Sequence, residues 1–507
     1  MMPLREDGAP SELTTALLDG HVEHQGAAGG DVADDLRLSD GDDSDYELVP
    51  TRETLVFDEE SSARRVVLGD NKGASFFQMY LMDKIQPGSV KGSMFTMTVA
   101  IVGAGVLALP YAVEQSGLLL GLALIIGGAI VTNFSLRLLL SCAEQANARS
   151  YMDLSLITGG SQLANLTQFI VCMNLFGTSV GYLVGSAELL QLAMKVRSLF
   201  EVIVVACRTD LYFLLLQSFL GEATHSVLVD RQNLILLLCT CFVVPLALFR
   251  SLESLRFTSL FSILCIAFMT LVIVIKYFQF VHLGYSPDIM YQLHHLKLFD
   301  WRLHRLLTAI PLVIFVYTCH PNVLPIYLVL KRRSSRRMYK VMNRSIGLSA
   351  AVYCLCGAFV VFTFGEHTKS NFLKNDYRHD VAVLIGCIGF SIALILTVPL
   401  FIHTLRDNLR EALLENRRLS LAQHAIVSVF LVFATFTVAE LSGDIASVLG
   451  VLGATTNPVI CFLLPAYFVY RVGPASMAKR KWIAMVIAVL ASAVSVCSVL
   501  QQLQVLA

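Results

Sequence analysis

The chain has 507 residues, of which 55% are hydrophobic and 15% charged, and its mean hydropathy is +0.66. Soluble chains carry about a quarter charged residues, so this composition excludes a soluble globular protein and marks an integral membrane protein. Basic and acidic residues balance at 38 each, which implies no nucleic-acid partner and leaves the placement of charge to carry the information.

In chain order, the first segment is polar. Residues 31–50 read DVADDLRLSDGDDSDYELVP, an acidic stretch with too few apolar side chains to offset the entropy of ordering it. Residues 1–88 are therefore expected to be a disordered tail. It lacks the basic, apolar, small-residue order of a cleaved signal peptide, so the first span is expected to direct insertion. Apolar runs of about twenty residues, the length that crosses a bilayer, follow at 90–115, 117–141, 162–194, 232–250, 255–280, 306–330, 343–365, 380–404, 421–440, 444–470 and 482–505, giving eleven expected spans. The stretch 201–220 is also apolar, but Arg208 and Asp210 stand at its middle. A charge at the bilayer centre costs about 2.5–3.5 kcal/mol on insertion scales, so this segment is read as interfacial or as a loop.

The loop KRRSSRRMYKVMNR at 331–344 carries Lys331, Arg332, Arg333, Arg336, Arg337, Lys340 and Arg344. The positive-inside rule makes it cytoplasmic, which with eleven spans puts the amino-terminal tail inside and the carboxyl end outside. Arg406, Arg410, Arg417 and Arg418 fall on the same side, as do Arg471, Lys479, Arg480 and Lys481, and all are read as solvated or headgroup-facing charges. Nearly all of the 12 cysteines lie in spans. The pairs Cys239/Cys241 and Cys354/Cys356 lack metal-ligand spacing and read as small core hydrophobes. Only Cys207 falls in an outer loop, so no internal disulfide, metal or cofactor is expected. The sequons at Asn133, Asn165 and Asn343 lie in spans or on the cytoplasmic side, and no glycan is expected there.

Two spans contain breakers. The first includes VAIVGAGVLALPYA at 99–112, with Gly103, Gly105 and Pro110, and the sixth includes IPLVIFVYTCHPNVLPIYLVL at 310–330, where Pro321 and Pro325 flank Asn322 and follow His320. Glycine and proline loosen a helix, yet in hydrocarbon a broken helix is tolerated only where it is buried or lines a water-filled cavity. The first and sixth spans hold corresponding places in two halves of five. That pattern points to an inverted-repeat carrier with its substrate at the midplane between the two breaks.

The stretches GAGVLALPYA and CHPNVLPIY resemble the amino acid/auxin permease family, in particular its branch of sodium-coupled neutral amino acid transporters. Further likeness runs through FVVPLALFRSLESLRFTSLFSIL (242–264), LTVPLFIHTLR (396–406) and VLGVLGATTNPVICFLLPAYFVY (448–470). The resemblance covers about 90–505. It implies an all-α polytopic protein of LeuT type, a five-plus-five inverted repeat (90–280 and 306–470) with one extra helix (482–505), and amino acid transport as the activity.

A zwitterion at the midplane needs donors for its carboxylate and acceptors for its ammonium. Amides freed around Gly103, Ala104 and Gly105, at the positive end of the following half-helix, can supply the donors. Carbonyls near Ala100, Ile101 and Val102, and from Val316 through Tyr317 to Thr318, can supply the acceptors. Tyr182, in FGTSVGYLVGSAELL, matches an aromatic position of the family and is placed to close over the substrate. Ionisable groups in spans are functional candidates. His320 is expected to bond a freed carbonyl, gate the site or carry a proton. Glu188 is expected to pair with a cation or to reach the headgroups, and Glu114 to be solvated.

The resemblance also implies an ion site, and here the sequence departs from the family. Sodium-coupled members carry an asparagine four residues before the first glycine, and its side-chain oxygen helps a threonine of the eighth helix hold the ion. Thr397 matches that threonine, but the asparagine position is Val99. Valine offers no oxygen to a hard cation, so transport is expected to proceed without sodium, driven by protons, by the membrane potential acting on a cationic substrate, or by the amino acid gradient. The partners are thus the amino acid, the bilayer and, among ions, the proton before sodium. A second reading is an amino acid sensor whose acidic tail docks a cytoplasmic partner. Deleting residues 1–80 discriminates the two, and both plasma and vacuolar or lysosomal membranes remain open.

Overall fold

The computed structural model describes residues 88–194, 230–249, 256–284, 296–377, 380–414 and 420–506. The expectations for the tail, for 201–220, for Cys207 and for Arg417 and Arg418 lie outside the described residues. All regular structure among the described residues is helical. Among the described residues nine helices are long and apolar enough to cross a membrane, and a bent pair makes ten. The first expected span adds a further segment in two shorter pieces.

Those pieces are α1 (Val90–Ile101) and α2 (Leu109–Ser116), joined by a single 3-10 turn at Ala104–Leu107. Then come α3 (Leu118–Gln145), α4 (Tyr151–Met194), α5 (Arg231–Leu248) and α6 (Arg256–His282). The second half begins with another broken pair, α7 (Leu303–Val316) and α8 (His320–Val329), followed by α9 (Ser335–Phe364), α10 (Val381–Leu414) and α11 (Leu421–Leu441). It ends with α12 (Ile445–Ala454), α13 (Thr456–Val472) and α14 (Ala478–Leu506).

Both expected breaks are present, and proline plays the same part in each. Pro110 is the second residue of α2 and Pro321 the second residue of α8. In a first turn the missing N–H costs nothing and the fixed φ favours the helix, so these prolines start the new half-helix. Pro325, which with Pro321 flanks Asn322, lies inside α8. The break itself falls at Tyr317–Cys319, ahead of Pro321.

A third break was not expected. The tenth span, read as continuous over 444–470, bends by 40° between α12 and α13. Pro458 removes the N–H that would bond the Ala454 carbonyl, and Thr455 leaves helical geometry at φ −112°, ψ −79°. A Cβ on Gly453 would strike the Pro311 carbonyl of α7, so the two backbones pass in direct contact there. The π-helical turn that follows, Val459–Leu463, is held from outside. Tyr151 Oη donates to the Ile460 carbonyl at 2.6 Å, and Ser135 Oγ donates to that of Cys461.

The third span also starts earlier than its apolar run. α4 begins at Tyr151 and kinks at Gly160, whose φ of +72° suits a residue without a Cβ. The two half-helices around the first break share α9 and otherwise pack on different neighbours. α1 lies against α9, α8 and α6, whereas α2 lies against α7, α9 and α3. α4 and α10 form the most extensive helix pair and carry Tyr182 and Thr397 between them.

Candidate functional site: the paired helix breaks

At the first break the chain leaves α1 through Val102 (φ −88°, ψ 89°) and Gly103 (φ −123°, ψ −145°). Val106 and Ala108 donate back to Gly103 and Gly105 with 3-10 spacing, at 3.3 and 3.2 Å. Ile101, Val102, Ala104 and Gly105 are buried, while Val99, Ala100 and Gly103 are half-buried. A Cβ on Gly103 would overlap the Tyr182 hydroxyl, which also meets the Ala104 backbone. A Cβ on Gly105 would meet Val316 and Phe315 of α7. The two breaks therefore touch, and glycine is what lets them.

Sequence reading missed the residue that joins them. Tyr353 of α9, fully buried, points its hydroxyl at the Ile101 carbonyl at 2.8 Å and at the Val316 carbonyl at 3.1 Å. These are the last residues of α1 and α7. Each carbonyl keeps a lone pair beyond this shared contact. Tyr317 packs its ring edge-to-face on Tyr353 at 5.6 Å between centroids, and its own hydroxyl is buried without a partner among the described residues. Phe401 of α10 was missed too. It holds Tyr182 edge-to-face at 5.0 Å.

The structure thus gathers Ile101, Gly103, Ala104, Gly105, Tyr182, Val316 and Tyr317 around the paired breaks. Thr318 and His320 look elsewhere. Thr318 Oγ1 donates to Ile314 at 3.1 Å and meets Cys461 Sγ at 3.5 Å. His320 is fully buried, with Nε2 3.2 Å from Ser135 Oγ. The one hydroxyl hydrogen of Ser135 goes to the Cys461 carbonyl, so His320 Nε2 donates to Ser135 and Nδ1 is left as a buried acceptor without a partner among the described residues. Thr397 is half-buried and donates to Ala393 in its own helix at 2.7 Å. That leaves its oxygen lone pairs uncommitted.

Two charges, Glu114 and Arg406, differ from their sequence reading, and a third, Glu188, has the cationic partner that was one of its two readings. Glu114 is paired: its side chain is 8% exposed and lies 3.4 Å from Arg305, which also reaches Asp300. Glu188 receives Asn371 Nδ2 at 2.9 Å and Lys374 Nζ at 2.7 Å, so its cation comes from the segment after α9. Arg406, read as solvated, is 2% exposed. It donates to the Ala247 carbonyl at 3.2 Å and to Ser428 Oγ at 2.8 Å, with His424 Nε2 at 3.2 Å. A helix end within the bundle leaves carbonyls that need donors, and the guanidinium supplies them to α5. Among the cysteines read as core, Cys241 is exposed on the outside of the bundle. Where α2 ends, the Arg302 guanidinium beside Asp300 holds that carboxyl well below the usual carboxylate range.

Residues 86–504 match the family model described as "Transmembrane amino acid transporter protein". A curated relative, the sodium-coupled neutral amino acid symporter 2 of Danio rerio, is 26% identical over 403 residues, 75% of each chain. Among solved structures, the crystal structure of MhsT in complex with L-phenylalanine aligns at a TM-score of 0.52 and 14% identity, covering 81% of this chain and 98% of that one. At that identity the likeness is one of fold, and it agrees with the all-helical five-plus-five architecture expected from the sequence. With four-fifths of its length inside the family model, this chain belongs to the transmembrane amino acid transporter family and is a multi-pass membrane protein that carries amino acids.

Proposed function

We propose that the substrate amino acid is held at the paired breaks and crosses by alternating access. Residues 90–280 and 306–470 act as the two repeats and 482–505 as an accessory helix. The observation that carries this reading is the meeting of two half-helix carbonyl ends, Ile101 and Val316, within reach of one hydroxyl. Negative helix ends favour a positive group and positive ends a negative one. The substrate ammonium faces the remaining lone pairs of Ile101 and Val316, together with the carbonyls of Ala100 and of Val102. Its carboxylate faces the amides of Gly103 to Gly105 at the start of the next half. Tyr182, backed by Phe401, closes over it.

Transport on this reading does not require sodium. Sodium must replace its hydration with oxygen ligands, and Val99 supplies none where sodium-coupled members have an asparagine. The zebrafish relative is named as sodium-coupled, and Val99 is where this chain departs from the pattern that the resemblance to sodium-coupled members implies. The amino-terminal side lies in the cytoplasm, as the basic loop 331–344 indicates. A competition panel of the twenty amino acids against a labelled substrate in proteoliposomes, with and without pH and ion gradients, tests the function. Saturable uptake by a subset supports it, and no uptake of any of the twenty contradicts it.

A further inference from the structure

This inference rests on the reading that the substrate sits at the breaks. A helix ends in carbonyls without intrahelical partners and carries the negative end of its macrodipole there. α1 and α7 both end in this way at one place, so two negative ends face each other in the bundle interior. Carriers with broken helices commonly meet such ends with a cation. Here the group between them is the Tyr353 hydroxyl, 2.8 Å from the Ile101 oxygen and 3.1 Å from the Val316 oxygen.

The hydroxyl is held in that position. Tyr353 is 0% exposed, and the ring of Tyr317 packs against its own. Its helix is tied to α1 a second time, two turns earlier, where Ser345 Oγ donates to the Met94 carbonyl at 2.9 Å. A buried Tyr hydroxyl has one proton to give, and here two carbonyls share it, the nearer being Ile101. One shared proton neutralises the two ends less than a full positive charge does.

We propose that the Tyr353 hydroxyl is a built-in substitute for a coupling cation at the junction of the two breaks. It binds the carbonyl ends of α1 and α7 together, and it leaves enough negative potential there for the substrate ammonium. Tyr353 is then a positioning residue, and it is a second reason, independent of Val99, why transport runs without sodium.

Tyr353→Phe removes the hydroxyl and keeps the ring, and the purified variant is compared with wild type in sodium, lithium and choline chloride. With choline outside and inside, uptake into proteoliposomes should fall about tenfold, the scale of losing one buried hydrogen bond to strongly polar partners. In sodium or lithium it should recover, and the variant should melt higher than in choline by a margin that wild type does not show. Wild-type behaviour of the variant in all three salts would overturn the proposal, as would equal loss of uptake and melting temperature in all three. The melting comparison needs no transport, so if wild type carries no amino acid, the functional reading fails while the Tyr353 proposal is still decided. If the variant cannot be recovered folded from choline, recovery in sodium or lithium supports the proposal, and failure in all three salts contradicts it.

Discussion

The Tyr182 hydroxyl lies so close to the backbone of Gly103 that a single methyl group on Gly103 would overlap it. This contact sets the third span against the first break, and any side chain at this position must displace the Tyr182 hydroxyl.

Gly103→Leu is accordingly expected to abolish uptake at near-normal surface level. Gly103→Ala should lower uptake about tenfold, the scale of forcing one extra carbon into a packed site. Tyr182→Phe, which vacates the hydroxyl's space, should restore part of the activity lost in Gly103→Ala. Initial-rate uptake with surface labelling checks the set, and full activity of Gly103→Leu would place the substrate elsewhere.

Phe401 holds the Tyr182 ring edge-to-face. Removing it with Phe401→Ala should loosen Tyr182 and raise KM about three- to tenfold, as aromatic pairs contribute about 0.5–1.5 kcal/mol beyond area burial. The maximal rate should change less. An unaltered KM would mean that Tyr182 does not close over the substrate.

Arg406 gives the α5 carbonyl end at Ala247 a donor and bonds Ser428. Arg406→Met keeps much of the stem but leaves those groups unpaired, which costs about 1–3 kcal/mol. The purified variant should melt below wild type, and Arg406→Lys, with a single ammonium in place of the planar fork, should not recover the loss. Wild-type melting of Arg406→Met would show the contact to be dispensable.

The breaks at the first and sixth spans were legible because glycine pairs and a His-Pro-Asn cluster stand out in apolar runs. The break in the tenth span was not, although Gly453, Thr455, Thr456 and Pro458 stand there, since the partners that hold it are remote in sequence. Asn174 Nδ2 reaches Asn457 Oδ1 from α4, and Pro311 meets Gly453 from α7. Tyr353 looked like an ordinary aromatic in an apolar span. What gives it a role is its pair of carbonyls, 252 and 37 residues away in sequence, and no local pattern encodes such distances. Arg406 was misread for the same reason. A charge near a span end is normally solvated, and only the packing of α5 and α11 on α10 encloses this one.

The Asp300–Arg302 pair makes a pH prediction. The folded-state carboxyl titrates below its unfolded value of about 3.9, so it contributes stability above that pH and loses it as pH falls through the folded value. The melting difference between wild type and Asp300→Asn should therefore stay constant from about pH 8 to 5 and begin to narrow only below about pH 4. A difference that disappears between pH 8 and 6 would assign the effect to another group.

The central claim, an amino acid carrier whose paired breaks work without sodium, is tested most directly by initial-rate uptake into proteoliposomes with choline replacing sodium at constant pH and membrane potential. The account predicts rates within about twofold of each other, since neither Val99 nor the junction held by Tyr353 calls on the ion. Collapse of uptake in choline would contradict it, and would show that Thr397 and main-chain carbonyls hold sodium without the asparagine.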